Sequence, residues 1–369
     1  MKTDQPIRAL FLTKYSREGA SSRYRFLQYF PYLESQGITC AFSPLTDGNY
    51  LKHLYAMKRG SLPDYTKALV RRLAALCAAH TYDIVIIEYE ILPYFPPWFE
   101  TLLKRLGVPV IVNYDDAIFY RYNQHPNGLV RSLLGAKIDM VMRLADLVTA
   151  GNGFLADYAR NSGAPRVEII PTVVDLERYP KRPPAANSVF TIGWIGSPST
   201  TKYLVEISPA LEEVCREGRA RLVLIGAGRV ELAGVPVETR PWSEASEVAD
   251  LESCDVGIMP LHNGLWERGK CGLKTIQYMA CSLPVVVSPI GVNEELVEDG
   301  INGFFARDTA AWSRALIALR DDRPLGEAMG KAGRRKVEGL YSLQATAPRM
   351  AYLIWDTFQR GQRKGPKKP

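Results

Sequence analysis

Between Trp266 and Gly303 the chain reads WERGKCGLKTIQYMACSLPVVVSPIGVNEELVEDGING, with Arg268, Lys270 and Lys274 placing three cations within seven residues. A helix starting near Gly272 puts Lys274 in its first turn, with Gln277 one turn along on the same face. A lysine there opposes the helix dipole, and a nearby anion such as a diphosphate removes that conflict. The plainer alternative is a solvated lysine. Leu273, Ile276 and Met279 mark the opposite face as buried. Further on, Ser288-Pro289-Ile290-Gly291-Val292-Asn293-Glu294 follows an apolar run. Gly291 permits a sharp turn, and the amides of Gly291, Val292 and Asn293 could face a phosphate. Many strand–helix loops hold one glycine, so this signal is weak on its own.

Two loops in the first half also carry chemistry-bearing residues. Lys14 to Arg25 contains the small stretch Gly19-Ala20-Ser21-Ser22, flanked by Arg17, Arg23 and Arg25. Such a loop after a first strand can approach a phosphate or an acceptor through Ser21, Ser22, Arg23 and Arg25; the alternative is a basic solvent loop. It is neither a G-x-G-x-x-G fingerprint nor a P-loop, which disfavours nicotinamide and P-loop enzymes. Asn113-Tyr114-Asp115-Asp116 ends an apolar run. One of these aspartates could cap the next turn while the other serves a site. The histidines (His53, His80, His125, His262) show no metal spacing, and no metal is expected. His125 and His262 lie in loops and read first as solvated. Six scattered cysteines without a CxxC pair read as reduced thiols of a cytosolic protein.

The elements that must position these residues repeat one grammar. IRALFLT, YDIVIIEYE, VPVIVNYDD, ADLVTAGN and VEIIPTVVD are short apolar runs ending in polar or small residues. FTIGWIGS, ARLVLIGAG, VPVETR, CDVGIMPL and LPVVVSPIG repeat the pattern in the second half, with NGFFA as a short last strand. Amphipathic stretches such as YTKALVRRLAALCAA separate them. Apolar runs without alternation imply parallel sheets covered on both faces. The expectation is therefore α/β, with two Rossmann-like doubly wound domains facing each other across a cleft. Residues 1–178 form the first domain, 179–188 a proline-rich linker and 189–344 the second domain. Residues 345–360 form a C-terminal helix that could cross back to the first domain, and 361–369 a basic disordered tail. A length of 369 residues fits two domains, and 47% hydrophobic with 23% charged residues excludes a mostly disordered chain. No run approaches a membrane span, and Asp4, Pro6 and Arg8 argue against a signal peptide.

The segment Leu273–Gly303 resembles the signature region of family 4 glycosyltransferases of the GT-B fold. Ile170-Pro-Thr-Val-Val-Asp175 is similar to that family's domain junction, and Asp255-Val-Gly-Ile-Met-Pro260 to one of its strands. The resemblance implies a retaining, metal-independent transferase with a nucleotide-diphospho-sugar as co-substrate. The donor would lie on the second domain and the acceptor on the first. Carried over by position, Lys270–Leu273 would meet the sugar and phosphates, Gln277 the ribose, and Gly291–Asn293 the diphosphate. Gly196, Ser197, Arg268, Cys271, Gly272 and Glu295 complete the implied donor site. The family's E-x7-E pair falls on Gly269 and Gln277, so neither glutamate is present. Glu267, two residues early, is a candidate substitute for the first. The upstream Arg and Lys of the family are absent near Gly193–Thr200, so the charge is read as moved to Lys270 and Lys274, in a divergent GKCGxK…QYMA branch. The family's histidine in the first domain is missing too, and its place falls near Asp115–Asp116. Lys270 and Lys274 are thus the expected catalytic cations, with Asp115 or Asp116 orienting an acceptor hydroxyl.

The net charge of +7 fits anionic partners. Lys52, Lys58, Arg59, Lys67, Arg71 and Arg72 stand against the single acid Asp64, and together with the basic tail could touch an anionic membrane. The alternative is a solvated basic face. The resulting expectation is a cytoplasmic enzyme, peripheral on the inner face of the membrane, acting on a glycan or lipid-linked acceptor in bacterial surface polysaccharide or glycoconjugate synthesis. No nucleic-acid motif is present. A sugar-nucleotide 2-epimerase and a non-catalytic nucleotide-sugar binding protein remain alternatives.

Overall fold

The computed structural model describes residues 6–47, 62–181 and 187–364. The chain forms two compact units. The first comprises residues 1–172, Gly269–Cys271 and Thr346–Pro369; the second comprises Val173–Arg268 and Gly272–Ala345.

The first unit carries β1 (Ile7–Thr13), β2 (Ile38–Pro44), β3 (Ile84–Glu88), β4 (Val110–Tyr114), β5 (Leu147–Ala150) and β6 (Val167–Ile169). They form one parallel sheet in the order β2-β1-β3-β4-β5-β6. β3, β4 and β5 are buried at every residue, so their apolar runs lack alternation for a physical reason: helices cover both faces. The helix Leu343–Lys364 follows the second unit in sequence, yet its residues from Thr346 onward belong to the first. Arg166 pairs with Asp356, Arg349 with Glu168 at 2.9 Å, and Trp355 Nε1 donates to the carbonyl of Gln36.

The second unit carries β7 (Phe190–Ile195), β8 (Ala220–Ile225), β9 (Val237–Arg240), β10 (Val256–Met259), β11 (Val285–Val287) and β12 (Gly303–Phe305). The parallel order is β12-β11-β10-β7-β8-β9. Its core runs from Ile192, Leu222 and Ile258 in the sheet to Leu211, Trp312 and Leu316 on the covering helices. The strands are shorter than the apolar runs that announced them; LPVVVSPIG yields only Val285–Val287.

Both sheets reverse strand order once, between β1 and β3 in the first and between β7 and β10 in the second. At such a switch point the loops leaving adjacent strands diverge and open a crevice beyond their carboxyl ends. The loops that leave β1, β3, β7 and β10 are therefore the ones placed to meet a ligand.

Several expectations meet a different arrangement. Tyr179, included in the expected linker, is fully buried, while residues 182–186 lie outside the described residues. Of the expected basic face, Lys52, Lys58 and Arg59 lie outside the described residues, as do His53 and the tail from residue 365. Lys67 is exposed and Arg71 half-buried. Arg72 is a correction: it is 1% exposed, and its guanidinium donates to the carbonyls of Thr13 and Ser43, tying off the ends of β1 and β2. Its charge is thus spent on two strand-end carbonyls inside the fold and not on the surface.

Candidate active site

At the first unit's switch point, the loop after β1 turns into a short helix, Ala20–Arg25. Ser22 Oγ donates to Glu88 Oε2 at 2.6 Å, and the Lys14 amide donates to the same oxygen at 2.6 Å. Glu88 Oε1 has no partner among the described residues, although Glu88 is 1% exposed. Burial pushes the Glu88 carboxyl up from 4.5 to about 7, and the Asp115 charge adds to the rise; its two hydrogen bonds and Lys14 oppose it. Burial also lowers the Lys14 ammonium, with Arg121 adding to the effect. Tyr89, the next residue, holds a left-handed φ of 65°, a strained conformation for a tyrosine. Its hydroxyl and that of Ser21 both donate to Asp115, and the two hydroxyl oxygens are 3.0 Å apart. Ser21 and Ser22, expected on a flexible phosphate loop, thus brace two carboxylates.

Asp116 has its carboxyl raised from 3.8 to about 6, chiefly by burial. The Lys270 charge is the largest influence opposing that rise, and both residues belong to the first unit. The Asn152 side chain holds the Lys270 carbonyl at 3.0 Å. A Cβ at Gly269 would lie 2.6 Å from the Ala117 Cβ and 2.9 Å from its amide nitrogen. A glutamate at this family position therefore has no room here. Cys271 is buried and its thiol is pushed up by desolvation, which makes it a packing residue. Arg25 is 1% exposed: Nε and Nη2 donate to Asn113 Oδ1 and Nη1 to Thr172 Oγ1. Arg23 is buried as well, over the ring of Tyr24 and bonded to the Arg17 carbonyl. Neither arginine presents itself as an open loop cation.

In the second unit the helix Leu273–Ala280 starts at Gly272, which has φ 67°. Tyr278 on this helix is buried, and its hydroxyl accepts from the Ile195 amide at 3.0 Å and donates to the Ile258 carbonyl at 3.3 Å. That clamps the helix to the carboxyl end of β7. Lys274 sits one turn before Tyr278 on the same side. Its ammonium lies 4.2 Å from the centre of the buried Trp194 ring and 3.4 Å from Thr200 Oγ1. A Cβ on Gly196 would come within 2.4 Å of the Lys274 Nζ, so glycine leaves the ammonium its space. Ser197, next in the loop, has its hydroxyl 2.9 Å from that of Ser199.

The remaining donor-site candidates divide. Gly291 turns at φ 57° against the backbone of Arg268. The Asn293 amide donates to the Ile290 carbonyl at 3.3 Å, whereas those of Gly291 and Val292 donate to no backbone carbonyl among the described residues. The Asn293 side chain bridges Thr275 Oγ1 and the Ser288 carbonyl, 3.1 Å from each. Gln277 is buried and donates to Tyr179 Oη, which joins Glu247 and Trp242 in one network. Glu267 is buried against Tyr203 and His262, which gives it a structural assignment. Leu273 is half-buried at the first position of its helix. Arg268 and Glu295 are exposed; Arg268 donates to Asn263 Oδ1. Among the described residues, no cluster of three His, Cys, Asp or Glu could hold a metal.

Residues 38–178 match the family model described as Glycosyltransferase Family 4, and residues 187–322 match the one described as Glycosyl transferases group 1. The chain belongs to the family 4 glycosyltransferases. As such a glycosyltransferase it uses a nucleotide-sugar donor, and the epimerase and non-catalytic alternatives give way. Its GT-B fold is shared with sucrose-phosphate synthase from Thermosynechococcus elongatus: TM-score 0.70, 16% identity, covering 96% of this chain and 100% of that one. HepE of Anabaena, solved in complex with UDP-glucose, gives 0.68 at 16% identity, covering 95% and 100%. A glycosyltransferase from Rickettsia africae gives 0.67 at 14%, covering 98% and 100%. At such identities the likeness is one of fold. No curated sequence matches the glycosyltransferase significantly.

Sequence reasoning missed Glu88, Tyr89 and Trp194 of this glycosyltransferase. Glu88 reads as the polar end of an apolar run, and Trp194 as core. The available signal was topological: each lies at the carboxyl end of a strand flanking a switch point.

Proposed function

We propose that this transferase moves a sugar, with retention at the anomeric carbon, from a UDP-sugar to a hydroxyl of a glycan or lipid-linked acceptor, in bacterial surface polysaccharide or glycoconjugate synthesis. The observation that carries the donor half is the Lys274 ammonium at the carboxyl end of β7, over Trp194 and beside Gly196. UDP is favoured as the carrier because HepE, which shares the fold, was solved with UDP-glucose.

In the reaction the bond from the anomeric carbon to the diphosphate oxygen breaks, a bond to the acceptor oxygen forms on the same face, and the acceptor's hydroxyl proton passes to the departing diphosphate. Negative charge grows on the departing oxygen as the sugar becomes cation-like. A fixed ammonium and backbone amides stabilise that charge without reorganising. Lys274 supplies the ammonium in the second unit, and the amides of Gly291 and Val292 add dipoles. Lys270, held by Asn152, is the second cation. On the acceptor side, Asp116 is mainly ionised at neutral pH and can accept a hydrogen bond from the attacking hydroxyl. Asp115, fixed by Ser21 and Tyr89, supports it. The donor lies on the second domain and the acceptor on the first.

Thermal shift with UDP, GDP and dTDP, each alone and as its glucose conjugate, tests the donor. UDP and UDP-glucose should raise Tm in a concentration-dependent way. A response to GDP or dTDP alone would displace the uridine assignment, and silence from all six compounds would remove the donor site.

A further inference from the structure

Of the sixteen large apolar side chains exposed among the described residues, eight lie between Tyr94 and Met140 in the first unit. Trp98, Leu102 and Leu106 follow at four-residue spacing from the helix Trp98–Arg105 into its end, so they form one stripe, and Trp98 is 67% exposed. On the helix Gly128–Leu134, Leu129 is 66% and Leu133 72% exposed, again four apart.

These elements adjoin. The helix Trp98–Arg105 packs on the helix Lys137–Leu144, which follows Gly128–Leu134 after two residues. Tyr94 sets its ring edge against Tyr122 at 5.5 Å and His125 at 6.2 Å. Arg131 Nη1 in turn binds the His125 carbonyl at 2.6 Å. Soluble proteins rarely leave so many neighbouring large apolar groups bare without a partner.

The exposed charge on these elements is basic, although Lys104 is paired with Asp146 at 3.1 Å, which leaves Arg105 and Arg131 to carry it. Lys104, Arg105 and Arg131 are exposed, whereas Glu100 is buried and Asp139 is half-buried under Tyr158 and Ser162. A face of tryptophan, tyrosine and leucine edged by cations matches the interface of a bilayer bearing anionic headgroups. A second copy of the chain would set like charges against each other in a symmetric contact. No helix among the described residues is long and apolar enough to cross a membrane, so the contact is peripheral.

We propose that this face of the first unit docks on an anionic lipid bilayer. It deepens the lipid-linked acceptor reading above and rests on it for its purpose. The loop that follows Glu88, the last residue of β3, begins with Tyr89 and leads into the helix Trp98–Arg105. Docking there would bring an acceptor held in the membrane towards the carboxylates of the first unit.

The test is co-sedimentation of the full chain with vesicles of phosphatidylcholine, with and without phosphatidylglycerol. The wild type should pellet with the anionic vesicles only. Trp98→Ser with Leu133→Ser, and separately Arg105→Glu with Arg131→Glu, should each lower the bound fraction about tenfold, with unchanged Tm. All four side chains are exposed, but Arg131 also bonds the His125 and Pro126 carbonyls, so the Trp98/Leu133 variant carries the test should the charge variant lose Tm. Absence of wild-type binding to anionic vesicles, or undiminished binding by both variants, overturns the proposal. So does a dimer in sedimentation velocity that the Ser variant dissolves, since a second copy would then cover the face. UDP binding, measured in parallel, separates the two readings. Intact UDP binding without vesicle binding removes the docking face alone, and vesicle binding without UDP binding removes the donor reading alone.

Discussion

The Lys274 ammonium lies 4.2 Å from the centre of the Trp194 ring. The ring face attracts the cation and holds it at the carboxyl end of β7, and Tyr278 fixes the helix that carries it. A long side chain that would otherwise sample many rotamers is thereby preorganised.

Removing that cation should cost transition-state stabilisation and little else. Lys274→Ala is expected to lower kcat by about 30- to 1000-fold, the range for one aligned charge or donor worth roughly 2–4 kcal/mol. Its Tm should stay within a few degrees, because Trp194 and Tyr278 keep their packing. Steady-state kinetics with UDP-glucose decides; a kcat near wild type rules out the assigned role.

Restoring the family's missing glutamate should harm this chain. At Gly269 a Cβ would press on the Ala117 Cβ and on its backbone nitrogen, and the backbone cannot yield cheaply. Gly269→Glu is expected to destabilise the protein by about 1–3 kcal/mol. Urea denaturation measures this; an unchanged midpoint would show that the segment Gly269–Cys271 can shift to make room.

Glu88 should make stability depend on pH. In the unfolded chain its carboxyl titrates near 4.5, and in the fold near 7. Across that window the native state binds a proton that the unfolded state has released. Stability is therefore full below about 4.5 and falls as pH rises through 7, by a total on the order of 3 kcal/mol. Asp116 acts in the same direction, from 3.8 to about 6. Glu88→Gln should flatten the decline of Tm between pH 4.5 and pH 8, leaving the smaller slope of Asp116. Equal slopes in the two proteins would deny Glu88 its raised carboxyl.

The architecture was legible because a strand covered on both faces must be apolar throughout, and IRALFLT or YDIVIIEYE has no other stable home. Lys274 stood out because a cation in a first helical turn demands an explanation. Its partner Trp194 was hidden, since a tryptophan in FTIGWI reads as core and is indeed buried. Gln277 looked available for a ribose, but Tyr179, 98 residues away, takes its amide, and no local pattern announces so distant a pair. Ser21 and Ser22 looked like flexible loop because small polar residues suit loops. Two carboxylates from β3 and the segment after β4 recruit them instead. The stripe Trp98-Leu102-Leu106 shows the limit of periodicity: it tells that a face is apolar, but not what it meets.

The helix Leu343–Lys364 gives the first unit a discontinuous sequence. A ribosome delivers β1 to β6 early, then the whole second unit, and only afterwards the segment that finishes the first. The half begun first is completed last, so nascent chains should emerge with the second unit closed and the first still awaiting its final brace. Fusions or clipping at the carboxyl end would accordingly be felt in the unit that holds the amino terminus.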